Sequence, residues 1–141
     1  MHISKNVDLQ DGSSCELSFD EDEQWLRATW LGYIDPQEAY NGAVSFLDVM
    51  RTFRCQYLLN DNSGLRGPWF DSVEWLREIW APQASQMGLR YIAHVSQPHD
   101  LAHEVAVLEA ESFGNDIQIQ LFDNIAEAAE WLREQRERMT A

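Results

Sequence analysis

YLLNDNSGLRGPWFDSVEWL, residues 57–76, holds the strand-to-helix passage on which the reading of the fold turns. It opens apolar, breaks into Asp61-Asn62-Ser63-Gly64 and resumes with a pattern led by Asp71. Asp, Asn and Ser side chains bond to nearby backbone, and Gly accepts positive φ, so such a cluster ends regular structure. A strand is therefore expected over residues 55–60, ended by the turn 61–64. Asp71 is expected to open a helix, with Glu74 three residues on as its capping-box partner. Val73, Trp75, Leu76, Ile79 and Trp80 supply its apolar face. Pro82 is expected to end or kink this helix, and Gly88 to close the connection to the next strand.

The same alternation extends outward in both directions. Residues 15–19 and 25–33 read as two strands joined by the acidic turn 20–23, which predicts a hairpin. Residues 1–13 have room for an extra edge strand or arm. Asp35-Pro36 begins a helix as N-cap and first helical residue. Ala39, Tyr40, Ala43, Phe46, Leu47, Met50 and Phe53 then recur at spacings of three and four, a single apolar stripe. Downstream come a strand over 89–96, a helix over 100–113 stopped by Gly114, and a strand over 117–122. The last helix starts at the capping box Asn124-Ile-Ala-Glu127 and buries Ile125, Ala128, Ala129 and Leu132. Arg133, Arg136 and Arg138 occupy its last turns, where the helix dipole favours positive charge. Strands 89–96 and 117–122 alternate in polarity, whereas a sheet covered on both faces reads as continuous apolar runs. Helices mainly on one face are expected from this.

Composition narrows the function classes. A chain of 141 residues with 45% hydrophobic content fits one domain, residues 1–141, with ample material for a core. Acidic residues outnumber basic ones 24 to 10, a formal charge of −14. Such a surface repels phosphate backbones and anionic lipid headgroups, which argues against nucleic-acid partners and polybasic membrane docking. Cys15 and Cys55 have no metal or redox spacing and are expected as reduced thiols. With no apolar run of about 18 residues and no secretory pattern, no membrane insertion and a cytoplasmic location are expected.

Strand, helix, strand, helix, strand, helix, strand, helix after a leading strand resembles the STAS domain, the SpoIIAA-like fold of anti-sigma-factor antagonists. Residues 57–76 carry the resemblance: Asp61 is similar to the acidic strand end of that family, and Asp71-Ser72 to the pair that opens its next helix. LRYIAHVS and IQIQLFDNIAEAAEWL are similar to its ending. Trp30-Leu31-Gly32 and the W-x-D-S-x-E-W-L segment resemble an uncharacterised bacterial branch, often grouped with the CRAL-TRIO type of lipid-binding fold. The resemblance spans roughly residues 14–136 and implies a mixed sheet of about five strands with four helices. It also implies a non-enzymatic regulatory module that binds a protein partner or itself, as a homodimer. One departure matters: where phospho-regulated antagonists carry Asp-Ser-Ser-Gly, this chain has Asp71-Ser72-Val73-Glu74. The usual phosphoacceptor position is Val73. Ser72 beside Asp71 remains the candidate modification site.

Other constellations were weighed against plain structural roles. Asp35, Asp61, Ser63, Asp71, Ser96 and Asp123 fall at or near the carboxyl ends of strands, where open α/β sheets bind ligands. A phosphoryl-transfer site there wants a lysine clamp, and the only lysine is Lys5. Caps and turns account for these residues. His99 and His103, four apart on an expected helix, share a face but lack a third ligand, so no metal is assigned. His94 is expected to be hydrogen-bonded or exposed. No phosphate loop, nucleophile elbow or HExxH is present, so neither a catalytic residue nor a cofactor is expected. Trp69, Phe70 and Trp75 form the most unusual group. With Asn62 and Ser63 they are the expected interaction or ligand surface, since clustered aromatics anchor interfaces. The rival reading is a carrier or sensor of a small apolar ligand in a Trp-lined pocket.

Overall fold

A computed structural model describes residues 2–7, 14–33, 36–66, 76–95 and 117–140. Six strands form one sheet in chain order: β1 His2–Val7, β2 Ser14–Asp20, β3 Trp25–Tyr33, β4 Tyr57–Arg66, β5 Tyr91–Val95 and β6 Gln118–Phe122. The β1–β2 and β2–β3 pairs are antiparallel; β3 through β6 are mutually parallel. The α/β class and the mixed sheet agree with the sequence, with β1 as an added edge. The β2–β3 turn forms for a local reason. Asp20 Oδ1 accepts the backbone N–H groups of Asp22 and Glu23, each at 3.0 Å, and Gln24 takes the left-handed φ of 63° that closes the turn.

Three helical segments are described: α1 Pro36–Phe53, α2 Ala81–Gln86 with a π turn Leu76–Trp80 running into it, and α3 Ile125–Thr140. The expected count of four is corrected to three among the described residues; the expected helix 100–113 lies outside them. So do the Asp35 and Asp71 caps. Of the two expectations for Pro82, an end or a kink, the structure does not show an end. Pro82 cannot donate to the carbonyl of Glu78, four residues back, and the wider π turn directly precedes it. Gly88 then turns the chain at φ +115°, a region L-residues avoid. At α3, Asn124 Oδ1 accepts the N–H of Glu127 at 2.8 Å, the expected cap.

The helices lie on both faces of the sheet, which corrects the one-face expectation. Along β4 and β5, Tyr57, Leu59, Asp61, Tyr91, Ala93 and Val95 share one face; Leu58, Asn60, Ile92 and His94 share the other. α3 packs on the first face, where Trp131 meets Tyr91 edge-on at 6.0 Å and Phe122 at 5.9 Å. α1 packs on the second through Ala43, Phe46, Leu47 and Met50, all buried; Tyr40, at the start of the stripe, is exposed. Polar residues in β5 misled the alternation argument because Ile92, Ala93, His94 and Val95 are all buried. The polar member, His94, is satisfied internally instead of by water.

A second correction concerns β4. Residues 61–64 do not end the strand, which runs on to Arg66. β3 continues to Tyr33 beside it and supplies backbone partners. The register passes from Thr29–Asp61 to Leu31–Gly64, so β4 holds one extra residue there as a bulge. Gly64 is suited to this crossing, because a Cβ would stand 2.6 Å from Leu31 Cδ2.

α3 is tied back to the hairpin by charge. Arg133 Nε lies 3.0 Å from Glu23 Oε2, and Arg136 donates to the Glu23 backbone carbonyl and carboxylate. The Arg133 guanidinium also sits 5.9 Å from the Trp25 ring centroid. Two of the arginines expected to serve the helix dipole thus clamp the β2–β3 turn. Among the described residues no helix is long and apolar enough to cross a membrane.

α1 approaches the sheet closely at Gly42, where an added Cβ would collide with the Trp30 ring. Gly42→Val is expected to lower stability by about 1–3 kcal/mol through overpacking, with only a small helix-propensity gain to offset it. Urea unfolding of the variant checks this; an unchanged midpoint would show that α1 does not seat on Trp30.

Candidate functional site

The candidate site lies at the carboxyl ends of β3, β4 and β5, where Asn60, Asp61, Asn62 and Ser63 follow one another along the central strand. Asn60 and Asp61, before the bulge, point to opposite faces. The two faces are wired differently.

On the α1 face, the buried Asn60 joins three strands. Trp30 Nε1 donates to Asn60 Oδ1 at 2.9 Å, and Asn60 Nδ2 lies 2.9 Å from His94 Nδ1. An indole N–H only donates, so it must face the amide oxygen. The amide NH₂ is thereby directed at His94 Nδ1, which has to accept. The His94 ring is therefore neutral here, with its proton on Nε2. One tryptophan on β3 sets the tautomer of a histidine on β5 through an amide between them.

On the α3 face, Asp61 is equally committed. Its Oδ2 lies 3.2 Å from Arg27 Nη2. Its Oδ1 accepts the Ser63 backbone N–H at 3.0 Å and the Ser63 hydroxyl at 2.6 Å. These bonds hold the bulge, since one carboxylate grips both the neighbouring strand and the residue two positions on. A buried carboxylate with three charge-assisted donors is a stable structural element.

Asn62, between them, differs. It is 3% exposed, and among the described residues neither its amide oxygen nor its amide nitrogen has a hydrogen-bond partner. The sequence places Asn62 on a surface turn; the strand continues through it and buries it instead. Ser63 is exposed beside it. Trp69, Phe70 and Trp75, with Asp71 and Ser72, lie outside the described residues. The structure thus brings Asn62 and Ser63 together with three residues not assigned to the site beforehand: Arg27, Trp30 and Asn60. His94, weighed only by itself, joins them. The signal for Asn60 was available, because it is the first polar residue after the apolar Tyr57-Leu58-Leu59 run of a strand.

The remaining chemistry-bearing groups sit elsewhere. Cys15 and Cys55 are free and buried. Burial pushes the Cys15 thiol from its ordinary 9.0 up to about 12, and raises Cys55 too, against backbone hydrogen bonds that pull the other way. A thiol held protonated is a poor nucleophile. No group of three His, Cys, Asp or Glu suited to a metal occurs among the described residues, and His99 and His103 lie outside them. Trp25, Trp30 and Trp80 are buried; the Trp80 indole donates to the Ala43 carbonyl at 3.0 Å. These rings fill core instead of lining a pocket.

Two outcomes follow. Trp30→Phe leaves the Asn60 oxygen unpaired and is expected to cost about 1–3 kcal/mol in denaturant unfolding. It also frees the amide to flip, so the His94 ring-nitrogen signals, Nε2–H in the parent, become mixed; an unchanged tautomer would break the proposed chain. A raised thiol pKa means that the unfolded state loses its proton first. The Cys15 contribution is thus whole below about pH 9 and falls as pH rises toward 12, with Tyr57, also raised by burial, acting in the same direction. Cys15→Val is expected to flatten that decline in stability measured from pH 8 to 11; an identical slope would mean that Cys15 is not the source.

No family model and no curated protein matches this chain. Among solved structures, it is similar to the crystal structure of an uncharacterised protein of the DUF3478 family from Shewanella loihica PV-4, described as having a SpoIIAA-like fold. The two chains are 15% identical and superpose with a TM-score of 0.53 over 92% of this chain and 98% of that one. The fold of this chain is SpoIIAA-like.

Proposed function

We propose that the chain is a non-enzymatic, STAS-like regulatory module that works by binding a protein partner or a second copy of itself. The segment from Asn62 to Trp75 is the docking element, with Trp69 and Phe70 as anchors and Ser63, Asp71 and Ser72 as polar or modifiable neighbours. The observation that carries this reading is how the reactive groups at the carboxyl ends of the strands are employed. Asp61 is consumed by Arg27 and Ser63, His94 takes the Asn60 amide on Nδ1, and both thiols are buried. Such wiring builds a rigid platform under the connection that follows β4, which suits recognition better than turnover. The SpoIIAA-like fold supports the same reading, and the strongly acidic chain favours a basic or neutral partner surface.

The rival, a carrier of a small apolar ligand in a Trp-lined pocket, draws less support, because Trp25, Trp30 and Trp80 pack within the core. The test is the double variant Trp69→Ala/Phe70→Ala, compared with the parent by sedimentation velocity and by titration against partners cross-linked in the native host. Loss of two aromatic anchors is expected to weaken association roughly 30-fold or more, with the melting profile preserved. Undiminished association would place the interface elsewhere and end this reading.

A further inference from the structure

The sheet has two edges, and they are defended differently. β1, at one edge, carries Lys5 and an irregular register between His2 and Ser4, both devices that discourage a further strand from pairing. β6, at the other edge, has neither: its five residues Gln118-Ile-Gln-Leu-Phe122 are uncharged and keep an unbroken register with β5. Gln118 donates its backbone N–H to the Arg90 carbonyl at 2.8 Å, so Gln118, Gln120 and Phe122 turn their backbone groups toward β5. The intervening Ile119 and Leu121 turn theirs outward, where no strand pairs with them among the described residues.

We propose that β6 pairs antiparallel with β6 of a second copy of this chain, joining two sheets across a two-fold axis at Gln120. Centred there, all five residues of the strand find a partner: Gln118 opposite Phe122, Ile119 opposite Leu121 and Gln120 opposite itself. The outward backbone groups fit this register. Ile119 and Leu121 become the hydrogen-bonded pairs, each N–H donating to the other's carbonyl. The two Gln120 side chains, exposed in one copy, meet at the non-bonded pair between them. Such an interface is isologous, the same patch on both copies. Charge points to the same place. Two chains of net charge −14 approach most easily where no carboxylates oppose one another. Residues 117–122 hold no ionisable side chain, and Asp123 falls opposite Ile117 of the second copy, not opposite Asp123. This rests on the self-association that the proposed function allows, and gives it a surface apart from residues 62–75.

Gln120→Lys and Gln120→Glu are the test variants, because Gln120 is exposed and either change is expected to leave the melting temperature unaltered. The parent is expected to sediment as a dimer. Each variant alone, with like charges opposed at the axis, is expected to dissociate roughly 5-fold more readily. A 1:1 mixture of the two is expected to recover the parent's dimer affinity or exceed it, which a change in net charge does not produce. In the parent, hydrogen exchange at the Ile119 and Leu121 amides is expected to slow as protein concentration rises. A parent that stays monomeric at high micromolar concentration overturns the proposal, as does a dimer indifferent to both variants. Either result leaves docking of a different protein at residues 62–75 to its own test, since Trp69→Ala/Phe70→Ala leaves the β6 sequence unchanged.

Discussion

A strand in the middle of a parallel sheet, covered by helices on both faces, has no access to water for its polar side chains. β4 carries three buried polar side chains in a row, Asn60 to Asn62, before the exposed Ser63, and the surrounding structure meets the demands of the first two. β3 contributes Trp30 to one face and Arg27 to the other; β5 contributes His94. Because a neutral hydrogen bond adds only about 1 kcal/mol net while an unmet buried partner costs up to about 3, the network acts chiefly by making misplacement expensive. Register follows from that. A one-residue slip of β4 would turn Asn60 toward α3 and Asp61 toward α1, stranding an amide and a carboxylate at once.

The bulge is the point at which this register is relaxed. Asp61 spends one carboxylate oxygen on Arg27 across the strand pair and the other on Ser63, so it fastens the strand on both sides of the extra residue. Gly64 lets β4 pass Leu31 without a clash. Asn62 is the residue inside this arrangement whose amide has no hydrogen-bond partner among the described residues. Away from that end, the aromatic stack of Tyr57 and Tyr91 at 5.6 Å and the Glu23 clamp on Arg133 and Arg136 hold α3 to the opposite face and the opposite end.

Much of this architecture was legible in residue pattern. The hairpin, the apolar stripe of α1 and the Asn124 cap are set by short-range chemistry: period, capping oxygen and turn-forming side chains. The π turn was not, because a proline in a helical pattern reads equally as a stop or a kink until the carbonyls before it find partners. Nor were the two helix-covered faces. Alternation of polar and apolar residues in β5 means solvent only if the polar residue has no internal partner, and His94 has one from a strand 34 positions earlier.

The amino-acid sequence by itself determined the element types, their order, the acidic surface and the SpoIIAA-like plan, since each rests on interactions within a few residues or on composition. Tertiary structure alone decided what Asp61-Asn62-Ser63-Gly64 becomes. By local propensity it is a turn. Paired with an extended β3 and gripped by Arg27, it is the end of a strand, because backbone bonds to a neighbour and a half-buried ion pair outweigh the preference of four polar residues for solvent. The same long-range pairing that overrode the turn also buried Asn62, so the group that marks the candidate site exists only once the sheet has formed.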